Sequence, residues 1–268
     1  MTQSEEGTNN RPIPIFVDDG HLCTKRLETF HRRQKDVFDL FLFGISLATK
    51  TDENRLIAAR ALAKTGGEED QKALKEIESN PGPAFERLRK FSTLQSENLI
   101  IRITDNFLCY LSEIIQDVLR KKPEILRSKE TLRFDEILGF SNYKELLSYL
   151  VDKKINELSY SGIDGVSEFL NSRTNLKLTE REGEYELLVI GIELRNAYTH
   201  TRGVISRITV DRLAKVDHNL PIKQGERFHP DFDLICQVGN NFLEIANRLD
   251  ERFSNKFKIR RKKFSKSG

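Results

Sequence analysis

Arg195, Asn196 and His200 are the residues of this chain whose types and spacing point most directly to chemistry. They fall in the run Arg-Asn-Ala-Tyr-Thr-His-Thr-Arg-Gly-Val-Ile, residues 195–205. Histidine titrates near pH 6.5, so it gives up or takes a proton at neutral pH. Arginine stays charged and presents forked donors to an anion. The spacing alone is weak. With 23 Arg and 5 His in 268 residues, about 0.4 Arg-x4-His pairs are expected by chance. Arg26 and His31 form another, early on a helix, with no Asn after the Arg and no glycine after the His; they read as a solvated face. Context separates the second pair, because its polar residues end an otherwise apolar helix. A structural C-terminal turn is the competing reading: His200 would favour the helix dipole and Arg195 would pair with Glu193 or another acid. His21, His218 and His229 lie in loop-like contexts and receive no role.

The element that must position these groups begins near Thr179. Thr179 and Glu182 have the spacing of a capping box, helix formers continue to about Thr199, and Gly203 supplies a stop. Leu187, Gly191, Leu194 and Tyr198 share one face. Tyr185, Leu188, Val189 and Ile192 form a second stripe, so the helix is apolar on more than one side and expected to be buried. Asn196 and His200 continue the second stripe. Arg195 lies five residues before His200, a splay of roughly 140°. One copy therefore does not converge them, whereas two copies packed along the second stripe can gather two histidines and two arginines in one cleft.

The other elements follow from periodicity. Residues 1–20 read as a flexible or extended arm. Helices are expected from about Leu22 to Thr49, Asp52 to Lys64 and Glu68 to Glu78, and Pro81-Gly82-Pro83 reads as a subdomain boundary. A long helix starts near Phe85 or Leu94 and closes at Lys121-Lys122-Pro123, cations first and then proline. A short segment runs from Ser128 to Leu138. Asn142 and Glu145 form a capping box for a helix to about Tyr160. Gly162 and Gly165 flank a turn before a short helix from Val166 to Ser172. Val204 to Val210, rich in β-branched residues, is expected to be a short strand or extended connection. Pro230 reads as a first-turn proline for a last helix of about 23 residues from Phe232 to Phe253. Strand signals are few, so the fold class is all-α. The segments are an arm at 1–20, a helical N-terminal segment at 21–80, a main helical domain at 84–253 and a basic tail at 254–268.

Composition narrows the classes further. No apolar run approaches the roughly 18 residues that span a bilayer, and the polar first residues are unlike a signal peptide; no membrane partner and a cytoplasmic location are expected. Cys23, Cys109 and Cys236 form no metal-binding pattern, and Cys109 and Cys236 read as small buried core residues. The formal net charge is +3. The tail carries seven bases and no acid, Lys256, Lys258, Arg260, Arg261, Lys262, Lys263 and Lys266. Subtracting those seven leaves −4 for the rest of the chain. Such a tail either binds phosphates in a salt-dependent way or is a solubilising disordered end. Phe257, Ile259 and Phe264 interleave with the charges and favour contact.

The run from Leu194 to Ile205, with Arg195, Asn196, His200 and Gly203, resembles the signature of the HEPN superfamily. Its members carry Arg, a polar residue that is often Asn, and then His, with four to six residues between Arg and His. The upstream order is similar too: a long helix ending in Lys-Lys-Pro-Glu-Ile-Leu, a capped helix, the helix bearing the signature, and a closing helix. The likeness covers roughly residues 85–255. It implies a HEPN-like helical bundle, here with an additional helical N-terminal segment, that forms a homodimer through the 179–200 helix. Many such proteins are metal-independent endoribonucleases, often toxins or antiviral-defence effectors. Carried over by position, His200 would be the general acid or base, Arg195 the phosphate stabiliser, and Asn196 the group that orients the phosphate or His200. RNA supplies its own nucleophile, the 2′-hydroxyl, so neither a metal nor a cofactor is expected; the products would be a 2′,3′-cyclic phosphate and a 5′-hydroxyl. RNA contacts are expected from Arg202, Lys256, Lys258, Arg260, Arg261, Lys262 and Lys263. Expected partners are RNA and an antitoxin or defence-system protein. One subgroup carries a tyrosine two residues after the histidine; Arg202 stands there, which argues against pairing with a nucleotidyltransferase. The first 80 residues have no counterpart. The alternatives are a non-catalytic HEPN-like module that binds a protein, and a nucleic-acid-binding protein that uses mainly its tail.

Overall fold

A computed structural model describes residues 20–127 and 131–264 of the chain. The expected arm at 1–20 lies, up to residue 19, outside the described residues, as do Lys266 and the start of the 128–138 segment. The described residues are mostly helical with almost no strand, and an all-α fold is observed.

Helix α1 runs unbroken from Lys25 to Thr65, about 60 Å at 1.5 Å per residue. The expected break before Asp52 is absent, because no Gly or Pro interrupts the segment between Gly44 and Gly66. Asp52 serves as a cap, but for another helix. Its carboxylate accepts from the backbone N–H of Ala84 (3.0 Å) and Phe85 (2.9 Å), at the start of α3 (Pro83–Arg89). Helix α2 (Glu68–Ser79) folds back on α1, with Arg60 facing Glu78 at 3.4 Å. Pro81-Gly82-Pro83 is thus a turn stitched to α1 through Asp52.

Three helices form the core: α4 (Ser92–Lys121), α8 (Glu184–Thr201) and α10 (Phe232–Phe257). The rings of Phe107 and Phe242 stack at 4.5 Å, and Tyr110 donates its hydroxyl to the Ala246 carbonyl at 2.9 Å. Gly191 lets α8 approach α10 closely: a Cβ there would lie 2.7 Å from both Phe242 and Val238. Gly191→Ala is therefore expected to lower stability by about 1–3 kcal/mol despite alanine's better helix propensity, read as a shift in urea midpoint; an unchanged or raised midpoint contradicts this contact. The first half of α1 closes the core, with Phe30 at 6.2 Å from Phe107 and 5.3 Å from Tyr110. Arg26 grips Asp117 through Nε and Nη2 (2.8 and 3.1 Å).

His31 belongs to this packing and not to a solvated face: it is 3% exposed, with Nε2 2.9 Å from Asn247 Oδ1. Burial pushes its pKa from 6.5 down to about 4. Between those values the unfolded chain binds the proton that the folded chain refuses, so stability falls as pH drops from 6.5 to 4 and levels off below. The expected loss is about 3 kcal/mol. The check is the pH dependence of the urea midpoint in His31→Gln, which should be flatter than the parent's over that window; parallel curves would refute it.

Between α4 and α8 lie a 3-10 turn (Pro123–Leu126), α5 (Phe134–Leu138), α6 (Tyr143–Tyr160), α7 (Gly162–Phe169) and a π turn (Leu170–Thr174). Asn142 caps α6, accepting from Glu145 N at 3.0 Å, while Glu145 reaches back to Ser141 N at 2.9 Å. Helix α7 starts at Gly162, earlier than periodicity placed it. After α8, the expected strand is reduced to one bridge, Val204 with Arg227. Ser206 then accepts from Thr209 N at 3.1 Å and opens α9 (Arg207–Leu213). For α10 the cap is Asp231, accepting from Leu234 N at 2.8 Å, and Pro230 stands just before it.

The C-terminal stretch is docked as far as Phe264. Helix α10 reaches Phe257, four residues further than expected. Lys258 turns the chain with φ 57°, and β2 (Lys262–Lys263) pairs antiparallel with β1 (Leu22–Cys23). Phe257 and Phe264 are buried. Asp250, fully buried, accepts from Thr24 N at 3.0 Å and from the Thr24 hydroxyl, which ties α10 to the start of α1. No helix among the described residues is long and apolar enough to cross a membrane.

Candidate functional site at the end of α8

The entry to α8 differs from the capping box expected at Thr179 and Glu182. Glu184, five residues later, is the first helical residue, reached through Gly183 at φ 77°. The buried Glu184 carboxylate accepts from Glu180 N (2.8 Å) and Arg181 N (3.1 Å) and receives both Nη1 and Nη2 of Arg248 at 2.6 Å. A carboxylate bonded four ways at a helix N-terminus suits the dipole. This latch sets where α8 starts and thus where its far end emerges.

That end is closed by Arg202 (φ 54°) and Gly203 (φ 83°), with Gly203 N–H bonding the Ala197 carbonyl at 3.0 Å. A Cβ at Gly203 would meet the Tyr198 ring at 2.9 Å as well as needing the left-handed backbone, so glycine is required twice over. Tyr198 donates to the Phe228 carbonyl at 2.8 Å. Arg227 Nη2 lies 2.8 Å from the buried Glu97 carboxylate, and His229 Nδ1 3.6 Å from the same oxygen.

The named residues distribute around α8. Arg195 faces α4: its Nε donates to Asp105 at 2.7 Å, and its Nη1 reaches back to Asn196 Oδ1 at 3.1 Å. It does not pair with Glu193; that partner is Arg212, at 3.0 Å. Arg195 lines a cleft with Arg33, Arg102, Asp105 and Cys109. Cys109 is exposed there, contrary to its expected burial, because it falls between the inward positions Phe107 and Tyr110. Burial and the neighbouring acids nonetheless hold its thiol above the ordinary range. Asn196 lines a different pocket, and His200 and Arg202 are exposed. One chain thus brings Arg195 to Asn196 and leaves His200 further along the Asn196 side.

The second stripe of α8 is not a bare face. Leu188 is fully buried, and Tyr185, Val189 and Ile192 form a wall of the Asn196 pocket, about 190 Å³. The opposite walls are Tyr160 at the end of α6, the start of α7, and Arg212 and Lys215 from and just beyond α9. Burial pushes the Glu193 carboxyl up, opposed by its bonds to Arg212 and Asn196. Tyr185 donates to Asp164, and burial with that carboxylate moves its phenol up to about 12. Sequence reasoning missed Tyr160, Arg212 and Lys215; Tyr160 ends α6, Arg212 lies in α9, and Lys215 in the turn just after it, so no single periodic stretch marked them together.

The basic residues near the C-terminus divide. Lys256 donates to the Thr174 carbonyl at 2.6 Å, Lys262 pairs with Glu28 at 2.7 Å, and Arg261 donates to the Leu22 carbonyl. Lys258, Arg260 and Lys263 are exposed. The positive stretch is thus partly spent on the chain's own acids and carbonyls. Among the described residues, no three His, Cys, Asp or Glu side chains are grouped to hold a metal ion. Comparison with protein-family models, curated proteins and solved structures gives no significant match for this chain.

Proposed function

We propose that the protein is a metal-independent endoribonuclease of HEPN type, serving as a toxin or defence effector. The observation that carries this reading is the polarity of α8. A helix otherwise packed into the core delivers Arg195, Asn196 and His200 to its solvent-facing end. His200 acts as general acid or base on the 2′-hydroxyl or the leaving 5′-oxygen. Arg195 stabilises the charge that develops on the phosphate through donors left over from Asp105 and Asn196. Because Arg195 and His200 diverge within one chain, a second copy completes the site, packed through the exposed Thr199 and His200 and leaving the pocket beside Tyr160 open.

The test is cleavage of end-labelled single-stranded RNA in EDTA. The expected products end in a 2′,3′-cyclic phosphate and a 5′-hydroxyl, from a protein that sediments as a dimer. Intact RNA under excess protein refutes the enzyme, and cleavage by a monomer refutes the shared site. One observation favours the rival, a non-catalytic binding module: Asp105 engages Arg195 directly and offsets its charge. Undigested but tightly bound RNA or protein would select that reading.

A further inference from the structure

The pocket between α6, α7, α8 and α9 has the furnishings of a nucleotide site. Tyr160, at its rim, is 92% exposed although it is a large aromatic side chain. Val189 and Ile192 supply an apolar wall, and Asn196 an amide that bonds Arg195 and Glu193 and keeps one further donor and one further acceptor site. Arg212 spends one nitrogen on Glu193 and remains 54% exposed; the buried carboxylate fixes the guanidinium and leaves its other donors outward. Lys215, one helical turn on, is also exposed. An unstacked base finds an aromatic face and a polar edge, and its phosphate finds two cations.

We infer that this pocket binds one unpaired nucleotide of single-stranded RNA, next to His200 on the same side of α8. Tyr160 stacks on the base, Asn196 meets its edge, and Arg212 with Lys215 holds a backbone phosphate. The inference rests on the RNA part of the proposed function and adds the element that seats the strand. It also gives Asn196 a role within one chain beyond its bond to Arg195. The cations that Arg195 cannot bring to this side of α8 come instead from α9 and the turn just after it.

The experiment is fluorescence anisotropy with a short 2′-O-methylated RNA, which cannot supply the attacking hydroxyl, on the full chain. Tyr160→Ala should weaken binding roughly tenfold, and Tyr160→Phe should keep it, since stacking needs the ring and not the hydroxyl. Lys215→Glu should weaken binding and lower the salt dependence by about one phosphate contact. Both positions are exposed, so the variants should keep the parent's thermal midpoint. Affinities within about twofold of the parent for Tyr160→Ala and Lys215→Glu overturn the proposal and leave the pocket to a protein side chain. A parent that does not bind the oligonucleotide also overturns it. Loss of binding in these variants of a protein that cleaves nothing in EDTA keeps the nucleotide site and removes the ribonuclease; cleavage with unmoved binding does the reverse.

Discussion

His200→Ala should reduce RNA cleavage in EDTA by roughly 10²–10⁴-fold, the usual worth of a general acid or base. Its side chain is exposed at the last turn of α8, so the variant should unfold within about 0.5 kcal/mol of the parent. That pairing of a large loss in rate with an unmoved fold separates catalysis from a structural role for the turn. Arg195→Ala should also lose activity, by roughly 10²-fold, as removal of a charge-stabilising donor does. It leaves Asp105 without its partner, but Asp105 is itself partly exposed and readily rehydrated. If the two variants act on one composite site, mixing them should restore some activity through heterodimers, because each supplies what the other lacks. Cleavage by His200→Ala at the parent's rate would mean that the histidine carries no proton, and the ribonuclease reading of this helix end would fail.

Arg248→Ala is expected to be the most destabilising single change, at about 3–5 kcal/mol. It strands the Glu184 carboxylate, 4% exposed, inside the protein with only the Glu180 and Arg181 amides left to bond it. Such a loss is a large part of the 5–15 kcal/mol by which a domain is stable. Arg248→Lys should recover part of it, since an ammonium keeps the charge but cannot bond both oxygens in parallel. Arg248→Met combined with Glu184→Gln should be milder than Arg248→Ala, because no charge is left alone. Urea midpoints of the set decide the matter. A loss under about 1 kcal/mol for Arg248→Ala would show that water reaches Glu184 and that the latch does not set the start of α8.

The signals read most securely along the chain were those carried within a turn or two. Asn142 before Glu145, the cations and proline after α4, and the left-handed glycine at 203 each act on neighbours three or four residues away. The apolar spacing of Ile100, Ile103, Phe107 and Ile114 needs only a helix to become a face. These local patterns determined that the protein is helical, where most of its helices lie, and that Arg195, Asn196 and His200 sit at the end of a largely buried one.

Contacts between distant residues decided the rest. Asp52 was expected to open a helix of its own, yet α1 runs straight through it and its carboxylate meets α3, thirty-two residues on at Ala84. Thr179 lost the start of α8 to Glu184 because Arg248, on α10, bonds the glutamate and nothing comparable holds the threonine. The basic stretch near the C-terminus became a docked strand because Phe264 and the β1 backbone gave it partners from the other end of the chain. Arg212 and Lys215 reached the Asn196 side of α8 only when α9 folded back. Such pairings carry no periodicity, and each is favourable only after the entropy of closing a long loop has been met by many other contacts at once. The sequence by itself thus determined which chemically capable side chains lie at the end of a buried helix; the tertiary structure decided which of those groups face one another.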